Sequence, residues 1–122
     1  MYKLRVYIAG PMTNGDGNTY NPEKIREALE AYSLLIRYGF LPFCPQLSLI
    51  HAMMLPQDVS YAEWLEHDFS WIDICDVVLR IPGPSKGADR ECEYAEGLGI
   101  RVVEGLDNFL TAYPEPIVCK TT

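Results

Sequence analysis

Positive charge is scarce in this chain, since 10 lysines and arginines stand against 17 aspartates and glutamates and give a formal net charge of −7 at pH 7. That balance disfavours broad attraction to polymeric nucleic acid or to an anionic membrane surface. Long apolar runs are lacking too, and none approaches the length that crosses a bilayer. The first residues enter a predicted strand without the features of a secretory signal. We therefore expect a soluble, cytoplasmic protein with neither a nucleic-acid nor a membrane partner.

Motifs for metals and nucleotide cofactors are also missing. The four cysteines are scattered, without a C-x-x-C pair or metal-ligand spacing, and Cys75 and Cys92 are interpreted as small buried thiols. His51 lacks neighbours spaced as metal ligands, and His67 falls on the polar face of its predicted helix. Neither G-x-G-x-x-G after the first strand nor G-x-x-x-x-G-K-[ST] occurs. The sequence thus predicts no metal and no cofactor.

What is present is a globular composition, 48% hydrophobic and 22% charged over 122 residues. This length supports one domain, 1–122, with its own core. Strands are predicted at residues 2–9, 40–43, 76–81 and 100–103. Helices are predicted from the Asn21 cap and Pro22 to Gly39, from the Ser60 and Glu63 capping box, from the loop 82–87 to Gly99, and from Asp107. Between them lie a long connection at 44–60 and a tail that begins at Pro114 and Pro116.

Strands that alternate with helices favour parallel pairing and right-handed crossovers. The predicted fold is therefore a three-layer α/β domain of the flavodoxin-like or Rossmann-like kind, with a parallel sheet of four to five strands. Pro42 suits an edge strand. In such sheets the ligand crevice lies beyond the carboxyl ends of the strands, where the strand order switches. The glycine-bearing loops 10–18 and 82–87 are expected to meet there.

Two carboxylates fall on helix faces that the pattern turns inward. On a 3.6-residue period, Asp68 lies near the centre of the apolar face of residues 61–75, and Glu91 lies on the inward arc of residues 88–98. Desolvating an ionised carboxylate is costly, so each needs a partner, a ligand or a chemical role. We place Glu91 in the first turn of its helix, where the dipole keeps it ionised. Two carboxylates that face one pocket suit glycosidic bond cleavage.

Structural explanations stay open for these residues. Glu91 could only cap its helix, and Asp68 could pair with Arg80 or Lys86. Ser85, Lys86 and the helix start could form a phosphate nest, but a Pro-Gly-Pro-Ser loop is more often only a turn.

Two further features have two readings each. Tyr7 ends the first strand next to Gly10, so its hydroxyl either reaches the crevice or packs in the core. The apolar segment 47–55 is either a lid or a subunit contact, because its exposure would be costly in a monomer.

Three segments together resemble the nucleoside 2-deoxyribosyltransferase superfamily, which includes nucleoside 5′-monophosphate N-glycosidases and short bacterial and phage relatives. They span most of the chain in the right order. The segments are VYIAGPM at 6–12, D-x-x-W-I-x-x-C-D-V-V at 68–78 and S-x-G-x-x-x-E-x-x-Y-A at 85–95. The resemblance implies a small-molecule nucleoside or nucleotide as partner, and a homodimer or higher homo-oligomer.

The resemblance also implies roles for single residues. Glu91 matches the nucleophile that attacks C1′ of the sugar, Asp68 the carboxylate that holds the sugar hydroxyl or assists base departure, and Tyr7 the residue that orients the nucleophile. The residues implied or placed in substrate binding are Gly10, Met12, Ser85, Lys86, Gly87 and Arg90. Cys92 and Glu93 depart from the small or apolar residues that often follow the nucleophile.

We therefore predict an N-glycosidase that cleaves the base–sugar bond of a nucleoside or nucleoside 5′-monophosphate through a covalent glycosyl-Glu91 intermediate. The related 2-deoxyribosyl transfer between bases would follow if a base replaced water. The alternatives are a non-catalytic nucleotide-binding or sensing module on the same fold, and a structural oligomer whose two carboxylates lie in salt bridges.

Overall fold

A parallel sheet of four strands forms the centre of the computed structural model, which describes residues 2–14 and 19–118. The strands are β2 (Arg5–Ala9), β3 (Leu41–Phe43), β4 (Val77–Arg80) and β5 (Arg101–Glu104), in the spatial order β3–β2–β4–β5. A separate two-stranded antiparallel sheet joins β1 (Tyr2–Lys3) to β6 (Ile117–Val118). The predicted parallel sheet is confirmed, with Pro42 on an edge strand. Residues 15–18 of the predicted glycine loop and Cys119 lie outside the described residues.

Helices cover both faces of this sheet and complete the predicted three-layer α/β fold. They are α1 (Pro22–Arg37), α2 (Leu49–Met54), α3 (Tyr61–Ile72), α4 (Lys86–Gly97) and α5 (Leu106–Ala112), with a 3₁₀ turn at Pro45–Ser48. On one face, α1 and α5 pack on Val6, Ile8 and Leu79, and on the other, α3 and α4 pack on Tyr7 and Val78. Among the described residues, no helix is long and apolar enough to cross a membrane.

The helix starts follow the local sequence signals. The Asn21 side chain accepts a hydrogen bond from the Lys24 backbone N–H at 3.1 Å, and Pro22 occupies the first position of α1. Ser60 and Glu63 form both halves of the capping box of α3. Each such cap stabilises its helix by about 1 kcal/mol. These signals are visible in the sequence because every partner lies within three residues.

The predicted first strand, 2–9, is wrong in one respect, since it breaks into β1 and β2 at Leu4. The Leu4 backbone N–H donates to Pro116 O at 2.7 Å, while its carbonyl accepts from Leu41 N–H at 2.9 Å. The residues before Leu4 therefore pair with β6 instead of the main sheet. The predicted tail after Pro114 accordingly contains a short strand. Alternation of apolar residues could not reveal this break, because the partner lies at the far end of the chain.

The predicted connection at 44–60 is also more ordered than its composition suggests. It contains the 3₁₀ turn and α2, which turn Ile50, Met53 and Met54 towards solvent. The inward face predicted for 61–75 is only partly correct. Ile72 and Cys75 are buried, but Tyr61 is 59% and Trp71 42% exposed. Trp71 stacks on Phe43 of the edge strand β3 and stays partly exposed to solvent. The helical period alone therefore overestimates burial at the border of a sheet.

Gly10 marks the point where the chain leaves β2 for the crevice. A Cβ at this position would lie 2.7 Å from Cβ of Ile81, which is buried at the end of β4. The neighbouring strands therefore exit side by side only because residue 10 lacks a side chain. The resemblance implied that Gly10 lets a ligand approach, but the close neighbour here is Ile81.

We expect Gly10→Ala to lower the free energy of unfolding by about 1 to 3 kcal/mol, because a buried side chain at Ile81 has little room to move. The matched control is Gly87→Ala in α4, where a Cβ meets only Ser85 Oγ at 4.0 Å. That change should be neutral or stabilise by up to about 1 kcal/mol through helix propensity. Urea unfolding of both variants measures the difference, and equal stabilities would contradict this account of Gly10.

Candidate active site

The carboxyl ends of β2 and β4 place two sequence-distant loops in contact. The two strands are parallel neighbours with Ala9 opposite Arg80, and Ile81 N–H donates to Ala9 O at 2.7 Å. A Cβ at Gly83 would lie 3.0 Å from Pro11 Cγ, so the loops that follow the strands pack together. The strand order switches between β2 and β4, which is where α/β sheets open a ligand crevice. The predicted meeting of the two loops is confirmed for the described residues.

A buried hydrogen bond joins Tyr7 of β2 to Glu91 of α4. Tyr7 lies in the middle of β2, opposite Val78, so the prediction that it ends the first strand is wrong, since the strand continues to Ala9. The Tyr7 hydroxyl donates to Glu91 Oε2, and the two residues are 0% and 8% exposed. Tyr7 lies on the sheet face that α3 and α4 cover, so α4 brings Glu91 over the ring. The inward direction predicted for Glu91 is therefore correct. Of the two sequence readings of Tyr7, core packing is confirmed, and its hydroxyl reaches the buried carboxyl group of Glu91.

The protonation state expected for Glu91 is wrong. Ser85 is the N-cap of α4, so Asp89 is the acidic residue in its first turn and Glu91 lies beyond it. Burial raises the pKa of Glu91 to about 8, and the charge of Asp68 adds to this rise. The Tyr7 hydrogen bond and Arg80 act in the opposite direction. Since the helix dipole weakens after the first turn, desolvation outweighs it.

The same burial raises the pKa of the Tyr7 hydroxyl far above its ordinary value, and the charges of Glu91 and Asp68 raise it further. Tyr7 therefore stays protonated and acts as a donor at all working pH values. Its hydrogen bond favours the ionised form of Glu91 over the neutral one.

Asp68 lies on the inner side of α3, with 17% of its side chain exposed. Its carboxylate pairs with Nδ1 of His67 at 3.1 Å. Burial raises the pKa of Asp68, and the hydrogen bond and charge of His67 oppose that rise. The alternative in which Asp68 pairs with Arg80 or Lys86 is wrong, because the partner is its neighbour on the helix. Asp68 lies near enough to Glu91 and Tyr7 for its charge to raise the pKa of both.

Arg80 holds the loop 82–85 against the start of α4. Its guanidinium is almost buried and donates to the carbonyls of Ile81 and Gly83, and to Asp89 Oδ1 at 3.0 Å. Sequence reasoning considered Arg80 only as a partner of Asp68. The sequence signal for its role was its position at the end of an otherwise apolar strand, because a buried cation there requires hydrogen-bond acceptors.

The residues placed in substrate binding surround the start of α4. Ser85 Oγ accepts from the Ala88 backbone N–H at 3.1 Å, so this serine caps the helix. Lys86 is exposed, and Gly87 leaves open space around its Cα. Arg90 is also exposed, and its guanidinium donates to the Tyr61 hydroxyl at 2.8 Å. The helix start therefore combines backbone donors with two cations.

Met12 belongs to the loop after β2 and is half-buried, and its carbonyl accepts from the Asn21 backbone N–H at 2.9 Å. Its contribution is thus to fix the loop at the start of α1.

A cleft of about 430 Å³ opens between the edge strand β3 and helix α3. Asp68 and His67 lie on its wall, and aromatic rings form much of the rest. The lining residues are Tyr32, Pro42, Phe43, Cys44, Pro45, Leu47, Ser48, Trp64, His67 and Asp68. Phe43 stacks on Tyr7 with ring centroids 5.6 Å apart, so the cleft adjoins the buried pair. Sequence analysis missed Phe43 and Trp64, and it dismissed His67 because it falls on the polar helix face.

No group of three histidine, cysteine, aspartate or glutamate side chains among residues 2–14 and 19–118 is arranged to hold a metal ion. The three cysteines in that part of the chain, Cys44, Cys75 and Cys92, are buried free thiols. The interpretation of Cys75 and Cys92 as buried thiols is thereby confirmed. Burial raises the pKa of Cys92 to about 11, so this thiol next to Glu91 is not a nucleophile near neutral pH.

The model of one protein family, described as a domain of unknown function (DUF4406), matches residues 4–104. No curated protein sequence matches the chain.

Several solved structures share its fold. A 2-deoxyribosyltransferase from Bacillus psychrosaccharolyticus has a TM-score of 0.60 at 21% identity, over 82% of this chain and 70% of that one. A 2-desoxiribosyltransferase from Leishmania mexicana has a TM-score of 0.57 at 19% identity, over 83% of this chain but only 63% of its own. A conserved protein from Enterococcus faecalis V583 has a TM-score of 0.66 at 17% identity, over 91% and 73%. The chain thus spans less than two thirds of the Leishmania protein.

At these identities the likeness establishes the fold, while the sequence match establishes the family. The match over residues 4–104 shows that the chain belongs to the DUF4406 family, and its α/β fold is the one seen in these 2-deoxyribosyltransferase structures.

Proposed function

We propose that this protein is an N-glycosidase that cleaves the base–sugar bond of a nucleoside or nucleoside 5′-monophosphate, or transfers a 2-deoxyribosyl group between bases. The observation that carries the proposal is the buried Tyr7–Glu91 hydrogen bond between β2 and α4, with Asp68 near enough for its charge to raise the pKa of Glu91. A buried carboxyl group next to a second carboxylate is costly for stability, and glycosidic bond cleavage is a reaction that uses such a pair. The fold shared with 2-deoxyribosyltransferases supports the same reaction class.

In this mechanism Glu91 attacks C1′ of the sugar. A bond forms between its carboxylate oxygen and C1′ while the C1′–N bond breaks, and the electron pair leaves with the base, which takes up a proton. Water then attacks C1′ and displaces Glu91 as a carboxylate. Two displacements at one carbon give net retention. An acceptor base in place of water would give transfer instead of hydrolysis.

The roles of Tyr7 and Asp68 follow from their positions around Glu91. Tyr7 fixes the orientation of the carboxyl group and favours its ionised form, which is the form that attacks. Asp68 holds a sugar hydroxyl and supports protonation of the leaving base. At neutral pH Glu91 holds a proton in most molecules of the free protein, because burial raises its pKa to about 8. That proton has to move elsewhere in the site before the attack on C1′.

We expect Glu91→Gln to abolish base release, with kcat lowered on the order of 1,000-fold or more, because an amide is a far weaker nucleophile than a carboxylate. The assay separates released base by chromatography after incubation with ribo- and deoxynucleosides and their 5′-monophosphates. The matched control is Glu93→Gln, which removes the same charge from an exposed position two residues away on α4. Turnover that persists in Glu91→Gln would rule out the covalent mechanism.

The pH dependence of stability gives an independent check on the raised pKa of Glu91. The pKa of Glu91 lies near 8 in the folded protein and near 4.5 without burial, so the folded state binds more protons between these values. The free energy of unfolding of the natural protein therefore falls as pH rises through this range. A neutral glutamine has no such loss. The free energy of unfolding of Glu91→Gln, taken relative to that of the natural protein, should therefore be about 1 to 3 kcal/mol higher at pH 8 than at pH 5. A difference that does not change with pH would contradict the raised pKa.

The start of α4 favours a phosphorylated substrate. Its backbone donors and two exposed cations, Lys86 and Arg90, suit a 5′-phosphate in a chain that is otherwise strongly acidic. We expect kcat/KM for a nucleoside 5′-monophosphate to exceed that of the nucleoside by about tenfold or more. Lys86→Ala should remove most of this preference, whereas Arg26→Ala, which removes equal charge from α1, should keep it. Equal rates with and without the 5′-phosphate would contradict this part of the proposal.

A non-catalytic sensing module is the second candidate, and the raised pKa of Glu91 favours it. A neutral carboxyl group both donates and accepts hydrogen bonds, so it can bind ribose hydroxyls without attacking the sugar. Calorimetry with the same nucleotides distinguishes the two candidates. Tight binding of a nucleotide that remains intact would support the sensing module over the enzyme.

We also propose that a second copy of the chain covers α2 beside the cleft. Ile50, Met53 and Met54 expose apolar side chains there, while Leu47 and Ser48 just before α2 line the cleft. An apolar patch of this kind is typical of an interface. Light scattering is expected to give a dimer or higher oligomer, and Met53→Glu should shift it towards the monomer. A monomer at all concentrations would contradict the proposal.

A further inference from the structure

His67 occupies the wall of the cleft next to the proposed site, and the mechanism above gives it no role. It lies on α3 beside Asp68 and lines the cleft together with Phe43 and Trp64. About half of its side chain is exposed, so a ligand in the cleft can reach the ring. Histidine is the side chain that most often transfers protons in enzymes near neutral pH.

The imidazole ring of His67 is held by a carboxylate and by aromatic rings. Nδ1 lies 3.1 Å from Asp68 Oδ1. The Trp64 ring packs against it at right angles, with centroids 5.7 Å apart, and the rings of Phe43 and Trp71 lie within 6.5 Å. An ionised Asp68 can only accept, so Nδ1 carries a hydrogen and Nε2 is the nitrogen left to act on a ligand. A carboxylate that orients an imidazole in this way also stabilises the imidazolium.

The cleft has the shape and chemistry of a base site relative to Glu91. Phe43 stacks on Tyr7 with ring centroids 5.6 Å apart and lines the cleft together with Trp64 and His67, so aromatic side chains lead from the buried pair into the cleft. A sugar placed with C1′ at Glu91 would therefore direct its base towards Phe43 and His67. Aromatic side chains on the cleft wall favour contact with a planar base. The nucleophile and the imidazole then lie on opposite sides of the bond to be broken.

We infer that His67, oriented by Asp68, is the general acid that protonates the leaving base, an inference that rests on the proposed N-glycosidase function. As Glu91 bonds to C1′, the C1′–N bond breaks and its electron pair stays with the base. The proton on Nε2 of the imidazolium passes to a ring nitrogen of that base, which leaves neutral. In the second step water attacks C1′, its proton returns to Nε2, and Glu91 leaves as a carboxylate. The sum is one water consumed, with base and free sugar released.

The same residue suits both steps because retention brings water to the face that the base has left. His67 acts first as acid and then as base, and Asp68 keeps its charge throughout. Asp68 bonds to Nδ1 of His67 and keeps the imidazole ring oriented through both steps.

The test compares leaving groups that do and do not need a proton. A purine nucleoside methylated at N7 releases its base without protonation, whereas the unmethylated nucleoside requires it. We expect His67→Gln to lower kcat/KM on the unmethylated substrate on the order of 100-fold, and on the methylated one by less than about threefold. Both substrates are prepared with ribose and with 2-deoxyribose. His51→Gln is the matched control, because His51 also packs edge-on against Trp64 but does not line the cleft.

A second variant separates proton transfer from packing. His67→Phe keeps an aromatic ring among Phe43, Trp64 and Trp71 but cannot carry a proton, so it should show the same dependence on the leaving group as His67→Gln. If His67→Phe restores natural rates, or if both variants lose equal activity on the two substrates, His67 only shapes the cleft and the inference is wrong. If the natural protein releases no base from either substrate, the proposed function fails together with the inference. A loss confined to the unmethylated substrate supports both.

Discussion

Desolvation of one carboxyl group is the constraint around which the rest of this molecule is arranged. Glu91 is buried against the Tyr7 hydroxyl, and burial is the largest cause of its raised pKa. An unpaired buried carboxylate would be strongly destabilising, so the fold supplies a donor from β2 and, through Arg80, a cation at a greater distance. Arg80 in turn ties the loop before α4 to Asp89, which fixes the helix that carries Glu91. The site therefore combines the buried Tyr7–Glu91 bond with the contacts by which Arg80 holds the start of α4.

The parallel sheet makes this arrangement possible. Parallel neighbours end at the same edge, so β2 and β4 bring the residues that follow them together although they lie far apart in the chain. Close packing of Gly10 on Ile81 allows the segments that follow β2 and β4 to leave the sheet in contact with each other. The edge strand β3 then contributes Phe43, whose ring stacks on Tyr7 and on Trp71 and lines the cleft that also contains Asp68. Core packing and the candidate site thus share residues, and Tyr7 belongs to both.

Much of the site was visible from local pattern. Helical period alone turned Glu91 inward, because the positions around it on α4 are small and apolar and pack against the sheet. The same argument placed Asp68 on the inner side of α3 but could not name its partner, since His67 lies next to it on the helix and reaches it only through the orientation of both side chains. His67 was dismissed for its position on the polar face, although that face borders a cleft. The helical period of apolar residues predicts which side of a helix faces the core, but it does not predict where the core ends.

The sequence by itself determined the helix caps, the alternation of strands and helices and hence the parallel three-layer fold, because these depend on neighbours within a few residues and on the burial of apolar faces. Only the tertiary structure decided that the first strand breaks at Leu4, that the segment after Pro114 pairs with it, and that Gly10 is needed for contact with Ile81. It also decided the protonation state of Glu91. A dipole can be assigned from the position in a helix, but desolvation depends on the atoms that distant elements pack around the group, and here it is the larger effect.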